Sequence, residues 1–119
     1  FCFQCHYAVL FDWYIEGNSI VTLEAKVSRA FSSSMEVFID VYFENPSTGH
    51  KTKCNEAILT FVAIDQNGSP LPVPPIAPET EVEKKRYDGA LRRRQLSLIL
   101  AGRMKPEEAT ELKALFLKD

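Results

Sequence analysis

The chain has 119 residues, enough for one hydrophobic core and too few for two ordinary domains. Its 14 basic and 16 acidic side chains give a formal net charge of −2, which excludes a generally basic protein that binds nucleic acid through its charge. Hydrophobic residues make up 45% of the sequence and charged residues 25%, a composition typical of a globular chain. No apolar run reaches the roughly 18 residues of a membrane-spanning helix. We therefore expect one globular domain that binds neither nucleic acid nor membrane.

The N-terminus has neither the basic start nor the small-residue cleavage site of a signal peptide. The chain opens at Phe1 without methionine, so we expect residues to be missing upstream. Its three cysteines are an odd number, which is a poor basis for a disulfide framework. Reduced thiols in a cytoplasmic protein are the simplest interpretation.

Two segments alternate between apolar and polar residues, with the two-residue period of a β-strand that has one buried face. They cover residues 20–29 and 35–43. On the opposite, solvent-facing side of the second strand, Phe38 and Tyr42 are apolar, which suggests a partner such as a second subunit. The apolar sets that we expect to be buried are Val21, Leu23, Ala25 and Val27 in the first strand and Met35, Val37, Ile39, Val41 and Phe43 in the second.

Turn chemistry separates the strands that follow. Residues 45–49 (NPSTG) combine the fixed φ of proline with a glycine that tolerates positive φ. Residues 65–68 (DQNG) close a third strand over 51–65, whose nearly continuous apolar stretch indicates that both faces are covered. Because short turns join strands that are adjacent in sequence, the pattern predicts an antiparallel meander.

Five prolines between residues 70 and 78 favour an extended, polyproline-like crossing. Such a stretch is a linker, a ligand for an aromatic groove, or a connector packed onto the domain. We favour the packed connector because Leu71, Val73 and Ile76 provide apolar anchors.

Two helices are predicted after the prolines. Thr80 with Glu83 forms a capping-box pattern for a helix that ends near Gly102. Its basic residues, in 84–86 and 92–94, form either a solvated face or a site for phosphate, whose oxygens match a guanidinium fork. Pro106 opens a shorter helix. The apolar stripe of that helix consists of Ala109, Leu112, Leu115 and Phe116.

Residues 2–6 (CFQCH) have the spacing that attaches c-type haem. Two alternatives stay open: haem with His6 as axial ligand, and zinc held by Cys2, Cys5, His6 and Cys54. We favour an apolar N-terminal strand that contains thiols, because haem attachment requires export and the surrounding sequence is rich in strands. His50 lies in a turn and is expected to be solvated. The sequence contains neither a nucleophile elbow nor a glycine-rich phosphate loop, so a nucleophilic triad is not predicted.

Several separate motifs resemble those of the hotdog-fold acyl-CoA thioesterases, in the family's order. They are residues 27–37 (VSRAFSSSMEV), 55–65 (NEAILTFVAID), 72–75 (PVPP) and 78–80 (PET). The resemblance runs from about residue 17 to residue 94. It implies an α+β fold, a hotdog-like curved antiparallel β-sheet with C-terminal helices. Residues 1–119 would form a single hotdog-type domain, incomplete at its N-terminus, with residues 79–119 as a helical C-terminal extension.

The resemblance also implies a function. The family hydrolyses fatty acyl-CoA to free fatty acid and coenzyme A (CoA), and needs no cofactor beyond the CoA of its substrate. Its members pair sheet to sheet, so we expect a homodimer or a trimer of dimers in the cytoplasm. Ser33, Ser34 and Met35 match the segment that contacts CoA, and Arg94 matches an arginine expected near the nucleotide phosphates.

The chain departs from the family before residue 17. The family carries its central helix and its catalytic Asp or Asn upstream of the strand matched by residues 20–29, so the resemblance assigns no catalytic residue here. Asp12 is a nominal candidate for a base that fits a strand end better. The alternative function is a non-catalytic hotdog module that binds acyl-CoA or serves only in oligomer assembly.

Overall fold

The computed structural model describes residues 2–5 and 18–116. The chain divides into two compact units, Phe1–Ile76 and Ala77–Asp119, and each is described by itself. The first unit contains the β-strands and the second contains the helices. This order of elements confirms the predicted α+β class.

The first unit is an antiparallel sheet with the strand order β1-β4-β3-β2. Its strands are β1 (Cys2–Cys5), β2 (Ile20–Ala30), β3 (Ser34–Glu44) and β4 (Lys51–Ile64). Strands β2, β3 and β4 follow one another in sequence and in space, which confirms the predicted meander. The backbone of β1 pairs with the end of β4, so the favoured interpretation of residues 2–5 as a strand agrees with the structure.

Both predicted turns form, and glycine is required in each. Gly49 has φ +69° and donates its backbone N–H to the carbonyl of Asn45 at 2.8 Å. Gly68 has φ +79° and donates to the carbonyl of Asp65 at 3.1 Å. Because side chains other than glycine rarely adopt such φ values, these positions fix where the strands end.

The proline-rich segment is attached to the sheet through its backbone. Leu71 donates its N–H to the carbonyl of Ala63 at 2.8 Å, and Val73 donates to the carbonyl of Ser32 at 3.0 Å. The side chains of Leu71 and Val73 are half-buried, whereas Pro72 between them is exposed. These contacts confirm the prediction of a packed connector over this part of the segment.

The two faces of β3 are buried in the opposite sense from the expected one. Ser34, Glu36, Phe38 and Asp40, which share the face assigned to solvent, are buried, and the alternate apolar side chains are only half-buried. In β2 the apolar side chains are exposed to solvent, with Leu23 63% exposed. Within the described residues of this single chain, the predicted burial of these sets is therefore not found. A two-residue period sorts side chains onto faces, but it does not say which face receives a covering layer.

A β-bulge in β4 accounts for the buried thiol. The pairing with β3 passes from Asn55 to Lys53, which leaves Cys54 as the extra residue. The Sγ of Cys54 lies 3.4 Å from the carbonyl oxygen of Val41 and donates to it. Cys54 therefore fills the bulge as a small buried side chain.

The second unit contains α1 (Glu81–Leu100), a 3₁₀ turn (Pro106–Glu108) and α2 (Thr110–Ala114). The capping box at the start of α1 is confirmed: Thr80 Oγ1 accepts from the N–H of Glu83, whose carboxylate accepts from the N–H of Thr80. None of the helices among the described residues is long and apolar enough to span a membrane.

The predicted second helix is shorter than expected, and its stripe is divided. Ala109 has ψ 73°, which interrupts the helical backbone between the 3₁₀ turn and α2. Ala109 is 1% exposed and Leu112 is half-buried, whereas Phe116 is 80% exposed. The stripe is therefore buried only in its first half.

Candidate functional site

The serine tract lies in the connection between β2 and β3, and the chain fixes its backbone. The N–H of Phe31 donates to the carbonyl of Ser34 at 2.7 Å across this connection. The carbonyl of Ser32 accepts from Val73, and that of Ser33 accepts from the N–H of Ala63 at 2.8 Å. Three consecutive carbonyl groups are thus satisfied within the sheet unit, which fixes the backbone of the tract.

The predicted CoA-contacting residues differ in accessibility. Ser33 and Met35 are half-buried, and Ser34 is buried. Ser34 is the first residue of β3 and Met35 the second, so their side chains lie on opposite faces of the sheet. The structure brings the three residues together at one end of β3, and Ser33 and Met35 are the two with exposed surface.

A buried hydrogen bond joins β2 and β3 next to this tract. In β2 the pairing with β3 passes from Val27 to Arg29, so Ser28 is the extra residue of a second β-bulge. The Oγ of Ser28 lies 2.6 Å from Oε1 of Glu36 and 3.2 Å from the Glu36 carbonyl oxygen. Both residues are buried, with 7% of Ser28 and 4% of Glu36 exposed. A bulge that carries such a bond fixes the register of the two strands next to the serine tract.

A second charged group lies further along the same face of the sheet. The Nζ of Lys53 is 2.8 Å from Oδ1 of Asp40, which is 8% exposed, and it also contacts the carboxylate of Glu56. Burial lowers the pKa of Lys53, but the hydrogen bonds and negative charges of Asp40 and Glu56 raise it by more. The pKa therefore lies above its usual value of 10.5. The ammonium group stabilises a nearly buried carboxylate across β3 and β4.

The basic residues of α1 fall into distinct environments. Arg93 donates from Nη2 to the carbonyl oxygen of Arg86 at 3.2 Å, and its guanidinium lies over Gly89. A methyl group at Gly89 would lie 2.7 Å from Nη1 of Arg93, so the glycine provides the room for this arrangement. Arg93 is thereby engaged with its own helix.

Arg94, the predicted phosphate contact, is half-buried on α1. Burial lowers the pKa of its guanidinium below the ordinary value, and the positive charge of Arg103 lowers it further. Both effects disfavour the charged form, whereas a negative charge beside the guanidinium would favour it.

Other candidates from the sequence do not form a site in the described part of the chain. His50 is exposed in the turn before β4, as expected. His6 and Asp12 lie outside the described residues. Within the described ranges, no group of three or more His, Cys, Asp or Glu side chains is suited to hold a metal.

The strand register excludes the zinc alternative that uses Cys54. Cys5 pairs with Phe61, and Cys54 lies seven positions away from Phe61 along β4. At about 3.3 Å per residue this is roughly 23 Å, far more than the spacing of two ligands of one zinc ion.

The sequence analysis did not single out three residues that the structure places near the candidate site residues: Ser28, Glu36 and Arg103. Ser28 and Glu36 belong to alternating strands, and nothing in that pattern marks a bulge. Arg103 did carry a signal, because it follows the glycine predicted at the end of a helix, where the chain turns back over the last helical turn.

We compared the sequence and the structure of the chain with those of known proteins. No protein-family model matches the chain. It is 45% identical over 73 residues to the uncharacterized acyl-CoA thioester hydrolase YkhA of Bacillus subtilis, a match that covers 61% of this chain and 42% of that protein. It is 32% identical over 83 residues to the human cytosolic acyl coenzyme A thioester hydrolase, covering 68% of this chain and 22% of that protein. The chain thus spans half or less of the length of these relatives.

Solved structures agree in fold over a larger share of the chain. The acyl-CoA hydrolase from Bacillus cereus superposes with a TM-score of 0.75 at 26% identity, covering 98% of this chain and 69% of that one. The acyl-CoA hydrolase from Staphylococcus aureus, solved with butyryl coenzyme A, coenzyme A and coenzyme A disulfide, gives 0.72 at 30% identity, covering 84% and 64%. An apo-hexameric acyl-CoA thioesterase gives 0.65 at 38% identity, covering 70% and 53%.

Sequence motifs, element order and the structural matches therefore point to the same group of proteins. The serine tract at the start of β3, the connector bonded to it and the capped helix that follows occur in the order expected from the sequence. Relatives found by sequence and by structure carry the same description. The chain belongs to the hotdog-fold acyl-CoA thioesterase family.

Proposed function

We propose that the protein hydrolyses acyl-CoA thioesters. Water attacks the thioester carbonyl carbon, the carbon–sulfur bond breaks, and a free fatty acid and the CoA thiol are released. The observation that carries the proposal is the 45% identity to a bacterial acyl-CoA thioester hydrolase. A structural relative at 30% identity, solved with CoA and butyryl-CoA, supports the same substrate class.

Ser33, Ser34 and Met35 line the path of the CoA pantetheine in this proposal. Pantetheine carries amide groups that need donors and acceptors, and the hydroxyl of the half-buried Ser33 is able to serve as either. The backbone that carries it is held by the bonds of the Ser32 and Ser33 carbonyls to Val73 and Ala63. A loop fixed in this way loses little conformational entropy when a ligand binds.

Arg94 contacts a phosphate group of the nucleotide. A guanidinium offers two parallel N–H donors to two phosphate oxygens, a geometry that lysine does not reproduce. The position of Arg94 on a long, well-capped helix supports the role, because a regular helix holds the guanidinium more firmly than a loop does.

The protein assembles as a homodimer or a trimer of dimers and works in the cytoplasm. Support for assembly comes from the exposed apolar residues of β2, which include Leu23, and from the relative solved as a hexamer. The human relative is described as cytosolic, which supports the compartment. Residues 1–119 would contribute to a single hotdog-type domain, with residues 79–119 as its helical C-terminal extension.

Release of the CoA thiol tests the proposed activity directly. The full-length protein that contains this chain is incubated with butyryl-CoA and with a long-chain acyl-CoA in the presence of a chromogenic thiol reagent. Thiol should appear at a rate proportional to the protein concentration. A rate equal to that of buffer for both substrates would contradict the proposal.

A second candidate is a hotdog module that binds acyl-CoA or supports assembly without hydrolysis. It is favoured by one observation: the part of the chain that resembles the family, about residues 17–94, matches residues that contact CoA and no catalytic residue. Calorimetric binding of CoA without release of thiol would support this alternative.

A further inference from the structure

The end of α1 turns back on itself through a glycine in the left-handed conformation. Gly102 has φ +70° and donates its N–H to the carbonyl of Ile99 at 3.0 Å. The next N–H, that of Arg103, donates to the carbonyl of Leu98 at 2.8 Å. This pair of bonds is the Schellman motif, which closes the last turn of a helix and returns the chain over it.

The motif brings a second arginine to the side of the helix that carries Arg94. Leu98 lies one helical turn after Arg94, so the two share a face. Because the N–H of Arg103 is bonded to the carbonyl of Leu98, the turn returns Arg103 to the helical face that Leu98 shares with Arg94. The lowered pKa of Arg94, to which the positive charge of Arg103 contributes after burial, agrees with this placement.

Two arginines on one face of a helix repel each other, and burial of Arg94 reduces the screening by water. Arg103 is exposed, and among the described residues its side chain makes neither an ion pair nor a hydrogen bond. An anion bound between the two arginines would remove the repulsion and accept hydrogen bonds from both. A folded arrangement that concentrates positive charge at one exposed point attracts anionic ligands.

We infer that Arg103, held beside Arg94 by the turn at Gly102, forms with it a two-arginine site for a phosphate group of CoA. The inference rests on the proposed function and extends it to a residue outside the region of resemblance. It also assigns a role to Gly102, because the left-handed turn at this residue returns Arg103 to the helix.

Calorimetric titration of the full-length protein with CoA tests the site. Arg103→Ala should weaken the affinity for CoA by about tenfold or more, the effect of losing a hydrogen bond to a charged group. Arg103→Lys should restore part of the loss, since it keeps the charge without the fork. Lys105→Ala is the matched control: it removes an exposed cation from the same connecting segment, and the affinity should stay within about twofold of the wild type.

Titration with dephospho-CoA identifies the phosphate. If the effect of Arg103→Ala disappears with this ligand, the site holds the 3′-phosphate; if it persists, the site holds the diphosphate. Both outcomes support the inference. Equal, small losses for Arg103→Ala and Lys105→Ala with both ligands would overturn it, because the segment would then act only as a diffuse positive surface.

Activity separates a failure of this inference from a failure of the proposed function. With acyl-CoA, Arg103→Ala should raise KM and leave kcat unchanged, whereas with an acyl-pantetheine that lacks the nucleotide both constants should match those of the wild type. A wild-type protein that hydrolyses acyl-CoA while Arg103→Ala leaves KM unchanged would overturn the inference alone. A wild-type protein that neither binds CoA nor hydrolyses its esters would overturn both.

Discussion

Ser28 and Glu36 form a buried hydrogen bond of 2.6 Å across the bulge between β2 and β3, and Glu36 lies two positions after the serine tract. The bulge places the hydroxyl of Ser28 against both the carboxylate and the backbone carbonyl of Glu36. A carboxylate at this depth depends on such donors, because it is largely removed from water.

Replacing Ser28 with alanine should therefore destabilise the protein. The variant removes a donor from the buried carboxylate of Glu36, and we expect the free energy of unfolding to fall by about 1–3 kcal/mol. Urea denaturation measures the change. Ser32→Ala is the control, because Ser32 is exposed, and its effect should stay within about 0.5 kcal/mol. Equal effects of the two substitutions would mean that the Ser28–Glu36 bond contributes nothing.

The ion pair between Lys53 and Asp40 should contribute to stability in a pH-dependent way. Lys53→Met leaves the buried carboxylate of Asp40 without its nearest cation, and the free energy of unfolding should fall by about 1–3 kcal/mol at neutral pH. Lys84→Met, which breaks an exposed pair with Glu81, should cost about 0.5 kcal/mol or less.

The difference between the wild type and Lys53→Met should shrink at alkaline pH. The pKa of Lys53 in the folded protein is raised above 10.5. Its contribution is therefore fully present below the pKa of the unfolded chain and is lost as pH rises through the folded value. Urea midpoints of both proteins between about pH 9 and pH 11.5 test this. A difference that stays constant or grows over that range would contradict the prediction.

Two glycines of the helical unit should respond to alanine with different signs. Gly102→Ala forces a side chain into the left-handed region and should cost about 1–2 kcal/mol. Gly89→Ala lies in regular helix, where alanine gains about 1 kcal/mol over glycine. That gain offsets the displacement of the flexible end of Arg93, so the net change should be near zero or favourable. Thermal unfolding of both variants provides the measurement, and a larger loss at Gly89 than at Gly102 would contradict this account.

Arg94 should contribute specifically to the binding of CoA. Arg94→Ala should weaken binding by about 1.5–3 kcal/mol, and Arg94→Lys should recover part of this because it keeps the charge without the fork. The loss should shrink at high salt, since a partly exposed phosphate contact is screened. Arg92→Ala is the matched control, because two positions along a helix rotate the side chain by about 200°. Equal, small losses for both alanine variants in calorimetric titration would contradict a specific role for Arg94.

The protein should not be a monomer in solution. The exposed apolar side chains of β2 and the half-buried apolar face of β3 require a covering partner. Sedimentation at tens of micromolar should give a mass at least twice that of the chain. A 13.5 kDa species for this chain under those conditions would overturn the prediction.

Local chemistry determined much of the fold, because the signals involved act between residues close in sequence. The capping box of Thr80 and Glu83, the left-handed turns at Gly49 and Gly68 and the period of the three long strands each reflect interactions within a few residues. The serine tract and Arg94 were selected by resemblance, and their roles stay predictions.

Tertiary structure decided which face of β3 is buried, where the bulges lie and which charges meet. Ser28 contacts Glu36 eight positions away and Lys53 contacts Asp40 thirteen away, distances over which a strand period carries no information. The covering layers of a sheet are not encoded in the strand period, so only the structure shows that Phe38 is buried and Leu23 is exposed in this chain. The bond between the N–H of Arg103 and the carbonyl of Leu98 likewise required the chain to turn back at Gly102, which a helical period does not predict.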